Sequence, residues 1–147
     1  MGRLSIAILL LVVLLTSSSI MGCALFEDPA AEQYNQGNEL YRQGRLDEAI
    51  DKYTEAIRLG GSEEFYHRRG IAYCDLGQTE RGIEDFNEAI RIEPDWGDPY
   101  YSRGVAYAEL GKKAEAIADF EKFISLDDID NTDWIEMAKQ RIEELSR

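Results

Sequence analysis

Between Leu46 and Ile57 the apolar residues Leu46, Ala49, Ile50, Tyr53, Ala56 and Ile57 recur at steps of three and four, while Asp47, Glu48, Asp51, Lys52, Thr54 and Glu55 fill the remaining positions. That spacing draws one continuous stripe along a helix of 3.6 residues per turn, with a polar face opposite. The chain repeats the stretch twice, as TERGIEDFNEAI from Thr79 and KAEAIADFEKFI from Lys113. A second motif precedes each copy: GNELYRQG at 37–44, GIAYCDLG at 70–77 and GVAYAELG at 104–111. Its glycines recur after 33 and then 34 residues. The repeated unit is therefore two helices, A and B, joined by a turn opened with glycine. A lone hairpin of this kind cannot cover its own apolar stripe, so copies must stack. The pattern ends with Trp134, Met137, Ala138, Ile142 and Leu145, one more amphipathic helix, with Asp133 expected to cap it and Glu136 to complete a capping box. Asp98, just before Pro99, is expected to cap helix A of the third unit.

With these residues the chain resembles the tetratricopeptide repeats over about residues 30–126. The family sets small residues where helices A and B cross, and the matching positions hold Gly37, Ala49 and Ala56, then Gly70, Gly82 and Ala89, then Gly104, Ala116 and, out of pattern, Phe123. Its helix-B aromatic appears as Tyr53, Phe86 and Phe120, and its closing proline only as Pro94. On propensity alone Gly82 costs its helix about 1 kcal/mol relative to alanine. The resemblance implies an all-α fold, a right-handed α-solenoid of three hairpins (30–62, 63–96 and 97–130, the last with an acidic loop) followed by a capping helix over 131–147.

Charge and composition narrow the function. The 147-residue chain has a formal charge of -13, a surface that repels phosphate backbones and anionic lipid headgroups, which argues against nucleic acid as a partner. Its two cysteines, Cys23 and Cys74, have no metal-ligand spacing around them. Cys74 reads as a small half-buried core residue. Phosphate-loop, zinc-helix and nucleophile-elbow motifs are absent from the sequence. The cluster Asp127, Asp128, Asp130 and Asp133 lacks the mid-loop glycine and ligand order of a calcium loop and reads as a solvated linker. No catalytic residue, metal or cofactor is expected.

The N-terminus carries a separate message. Arg3, the apolar run Ile6–Leu15 and the polar stretch Thr16–Ser19 have the layout of an export signal, with an apolar core well short of the roughly 20 residues of a spanning helix. Ile20-Met21-Gly22-Cys23 resembles the lipobox of bacterial lipoproteins, which implies a signal peptide over 1–22 and lipidation of Cys23. Residues 23–29 then form a short tether, and the expected location is outside the cell membrane, lipid-anchored to the outer membrane or to the outer face of the plasma membrane.

The family resemblance implies that the A helices line a concave groove. The side chains facing it would be Tyr34, Asn38 and Tyr41, then His67, Ile71 and Cys74, then Tyr101, Val105 and Ala108, with Glu64, Asp75, Asp98 and Glu109 as an acidic rim. Such a groove suits an extended segment or helix with apolar anchors and basic flanks. Co-chaperones of the family clamp a C-terminal carboxylate with lysine, asparagine and arginine, whereas here Tyr34, Asp98 and Ser102 stand where basic or amide groups are wanted, leaving only Asn38 and the displaced Arg68, so that ligand class is not expected. The expected function is a non-catalytic, membrane-anchored adaptor or scaffold for a protein or peptide partner in the cell envelope. The alternative is a self-assembling structural module, a homo-oligomer built through exposed end hairpins.

Overall fold

In the structure, a computed structural model, residues 28–126 and 132–147 are described; the signal peptide expected over 1–22, Cys23 and the loop 127–131 with its acidic cluster lie outside them. Among the described residues seven α-helices follow in order: α1 Pro29–Arg42, α2 Leu46–Gly60, α3 Glu63–Asp75, α4 Thr79–Ile92, α5 Asp98–Glu109, α6 Lys113–Leu126 and α7 Thr132–Leu145. They form three hairpins, α1/α2, α3/α4 and α5/α6, each packed on the next, with α7 against α6. This is the all-helical repeat array, closed by a capping helix, that the sequence pattern predicts.

The apolar stripe of α2 faces the core. Ala49, Ile50, Tyr53 and Ala56 are buried while Asp47, Glu48, Asp51 and Thr54 are exposed. Each hairpin turn contains a glycine with positive φ: Gly44 (75°), Gly77 (78°) and Gly111 (73°). At the middle turn Gly77 N–H donates to the Cys74 carbonyl and Gln78 N–H to the Tyr73 carbonyl, both at 2.8 Å, the paired closure of a Schellman motif. The same turn recurs in the other two hairpins, which accounts for the sharp glycine period.

Close approach explains the second glycine set. A Cβ on Gly70 would lie 2.7 Å from the Phe86 ring, so the aromatic of helix B sits directly on the backbone of helix A. On Gly82 it would lie 2.4 Å from Cys74 Sγ and 2.8 Å from the Gly70 carbonyl oxygen. The expectation drawn from propensity is corrected here: alanine cannot gain its helix advantage where it has no room. Phe123, out of pattern, is 3% exposed and its ring lies against Gly97 and Tyr101. The equivalent Ala56 and Ala89 are fully buried in the array.

Two helix starts differ from expectation. Asp98 is the first residue of α5, behind Gly97 in helical conformation, with no side-chain cap. Asp133 lies inside the first turn of α7, which begins at Thr132, so both carboxylates complement the helix dipole instead of capping.

A feature not anticipated from the sequence ties the hairpins together. Arg69 donates to both carboxylate oxygens of Asp85 (2.8 and 2.7 Å) and to Thr54 Oγ1 of the preceding hairpin (3.0 Å). Arg103 repeats this with Asp119 (2.8 and 2.7 Å) and Asn87. Each guanidinium lies between two tyrosine rings, Tyr66 and Tyr73 for Arg69, Tyr100 and Tyr107 for Arg103. Burial raises the pKa of Asp85, and the bond to Asp119 raises that of Arg103. The first hairpin holds Gln36 and Lys52 at the matching positions, and Lys52 Nζ instead donates to Gln33 at 2.9 Å.

Candidate functional site

A groove opens between helices α3 and α5, with a cavity of about 460 Å³. Its floor and walls are His67, Ile71, Cys74, Tyr101 and Val105, with Phe86, Ala106 and Phe123 beneath and Ser102 and Trp134 at the side. Asp75, Asp98 and Glu109 stand around it, and among the described residues no lysine or arginine lines it. Five of the nine expected groove residues and three of the four rim carboxylates therefore meet in one place. The A-helix register accounts for this, because His67, Ile71 and Cys74 fall at steps of four and three, and Tyr101 and Val105 repeat the first two of those positions one period later.

The remaining four expected residues do other work. Tyr34 stacks on Phe65 with ring centroids 4.8 Å apart and donates its hydroxyl to Glu64; Tyr41 donates to Asp75. Both tyrosines are half-buried braces between α1 and α3. Burial, reinforced by these carboxylates, raises both phenols, that of Tyr41 to about 12. Asn38 accepts a hydrogen bond from the buried Tyr53 hydroxyl at 2.8 Å, which makes it the polar partner of a core side chain. Ala108 packs against the third hairpin's core. Glu64 sits outside the cavity beside Glu63, Glu93, Asp95 and Trp96, which extends the acidic surface along the array.

Two groove side chains have their chemistry set by burial. His67 is 6% exposed, lies between the rings of Phe86 and Trp96, and shares a 2.9 Å hydrogen bond between its Nε2 and Ser102 Oγ. Desolvation, assisted by the Arg68 charge, lowers its pKa to about 4 and holds the ring neutral. The Cys74 thiol is pushed up to about 12, first by burial and then by Glu109 and Asp75, so it is no nucleophile. Among the described residues no group of three or more His, Cys, Asp or Glu is placed to hold a metal ion.

Phe86, Ser102, Ala106, Phe123 and Trp134 line the groove without having been expected there, and Trp134 is the one that comes from outside the repeats. It comes from the capping helix, stands edge-on to Tyr101 with centroids 5.2 Å apart and planes at 85°, and remains 47% exposed. It has no counterpart in the earlier repeats, so periodicity held no signal for it. Of the capping stripe, Ala138 is fully buried while Met137 is 45% exposed.

Comparison with known proteins agrees with this architecture. Family models described as "Tetratricopeptide repeat" match residues 30–61 and 97–130, and one described as "TPR repeat" matches residues 70–111. The chain belongs to the tetratricopeptide repeat family, and its described part is a peptide- or protein-binding scaffold of that class. It is 35% identical over 72 residues to the Hsp70-Hsp90 organizing protein of Triticum aestivum and 32% identical over 73 residues to the mitochondrial import receptor subunit TOM70 of Homo sapiens. These segments are 47% and 46% of this chain but only 12% of either relative. Among solved structures, the first TPR of Spaghetti (RPAP3), bound to the HSP90 peptide SRMEEVD, superposes with a TM-score of 0.74 at 26% identity, over 86% of this chain and 100% of that one. The TPR domain of Arabidopsis OM64 gives 0.71 at 29%, over 79% and 93%. PcrH from Pseudomonas aeruginosa gives 0.77 at 16%, over 84% and 96%, a likeness of fold alone.

Proposed function

We propose that the chain is a membrane-anchored adaptor of the bacterial cell envelope, held by a lipid on Cys23, whose concave groove binds a protein segment with apolar anchors and basic flanks. The cavity between α3 and α5 carries this reading: an apolar and aromatic floor bordered by Asp75, Asp98 and Glu109. The Spaghetti domain was solved with SRMEEVD, whose C-terminal half is acidic. Carboxylates around the present groove would repel such a ligand and attract its opposite. Among the described residues no helix is long and apolar enough to cross a membrane, and the anchor is supported by the lipobox resemblance at Ile20–Cys23.

The test has two arms. Peptide display against the full chain is expected to enrich sequences with large apolar residues next to Arg or Lys, and Asp98→Lys with Glu109→Lys should abolish their binding. Enrichment of acidic C-termini, or indifference to the charge reversal, refutes the groove assignment. Cys23→Ser should release the protein from membranes and remove the mass of the acyl chains; unchanged fractionation and mass refute the anchor.

A further inference from the structure

The mouth of the groove at the start of α5 is built differently from its far end. Asp98 and Tyr101 are three residues apart and share a face of α5, and Trp134 stands edge-on to Tyr101 beside them, half open to solvent. Among the described residues no arginine, lysine or histidine forms a salt bridge with Asp98. Glu109 lies eleven residues along the same helix, roughly 16 Å away at 1.5 Å per residue. One end of the groove thus combines a carboxylate that forms no salt bridge with the half-exposed Trp134 ring and the half-buried Tyr101 ring, whereas at the other end the carboxylate of Asp75 already accepts the Tyr41 hydroxyl.

From this juxtaposition we infer that the Asp98–Tyr101–Trp134 corner is a subsite for one arginine side chain of the bound segment. A planar guanidinium can lie on the open face of the Trp134 indole while its N–H groups meet the Asp98 carboxylate, two interactions that use different atoms of the same group. The compact ammonium of lysine satisfies the charge but not the stacking. The floor beside the corner, Val105 and Phe123, takes the neighbouring apolar side chain. This subsite rests on the concave-groove reading above and gives it a register: arginine at the α5 N-terminal end, nearest the capping helix.

Four capped tripeptides test it: Ac-Leu-Arg-Leu-amide and its counterparts with citrulline, lysine or glutamate in the centre. They are titrated into the full ¹⁵N- and methyl-labelled chain, following the Trp134 indole N–H and the Val105 methyls. The arginine peptide is expected to move both signals and to bind about 10-fold more tightly than the citrulline peptide, the scale of one charge-assisted contact. It should exceed the lysine peptide by about 3-fold, the modest share of a stacking contact; the glutamate peptide should not bind. Asp98→Asn, a change at an exposed position, should erase the preference over citrulline, and Glu109→Gln should leave most of it. Equal affinity for arginine and citrulline overturns the subsite, as does lysine binding as tightly as arginine. If all four peptides shift Val105 alike, the groove stands and the subsite falls; if none shifts either signal, both fall.

Discussion

The Arg103–Asp119 pair gives the sharpest test of what holds the array together. Asp119→Ala removes a carboxylate that is 8% exposed and leaves a guanidinium 18% exposed, wedged between two tyrosines with only the neutral Asn87 still accepting from it among the described residues. Breaking one side of a buried pair costs about 3 to 5 kcal/mol, because the surviving charge stays desolvated. For contrast, Arg91 and Glu88 form an ion pair at 2.9 Å with side chains 68% and 45% exposed, the kind worth about 0.3 to 0.5 kcal/mol. Against a domain stability of about 5 to 15 kcal/mol, the first loss is a large fraction and the second barely visible. Urea unfolding followed by far-UV circular dichroism should separate Asp119→Ala from Glu88→Ala by at least about 2 kcal/mol. Replacing the pair as Arg103→Met with Asp119→Leu should recover most of the deficit, since apolar substitutes leave no buried charge behind. Equal midpoints for the two single variants would refute the view that these arginines clamp the hairpins.

Three further outcomes follow from the same packing. His67 takes up a proton near 6.5 in the unfolded chain but only near 4 when folded, so between those values the folded state binds fewer protons and stability falls as pH falls, by about 3 kcal/mol in all; His67→Gln should flatten that part of the pH–stability curve, and an unchanged slope would refute the burial argument. Gly82→Ala should destabilise by about 1 to 3 kcal/mol despite alanine's better helix propensity, and a raised melting temperature would show that Cys74 and Gly70 can yield. Ala49→Leu, at a fully buried crossing, should lower the melting temperature well below that of Ala118→Leu on the exposed face of α6; equal values would contradict the helical register.

What the sequence made legible is what repeats. The hairpins, their glycine turns and the buried stripe each occur three times, so chance matches cancel and the register emerges. The groove was half legible for the same reason: its A-helix positions follow from the period, but the period cannot say which ones are spent on internal contacts. Tyr34 and Tyr41 look like anchors in sequence, yet Glu64 and Asp75 one repeat later take their hydroxyls. Asp85 and Asp119 drew no reading of their own in the sequence, although an arginine sixteen residues earlier in both repeats marks the pair. Trp134, occurring once, had no period to reveal it.

That single tryptophan changes what the last helix is for. Any molecule that contacts Trp134 in the groove binds the array only with α7 docked, so the free energy of docking and that of binding are linked and act equally in both directions. Ligand should protect the amides of α7 from hydrogen exchange, and anything that loosens α7 should weaken the ligand by the same factor. The helix that closes the solenoid is therefore also a point from which occupancy of the groove can be sensed.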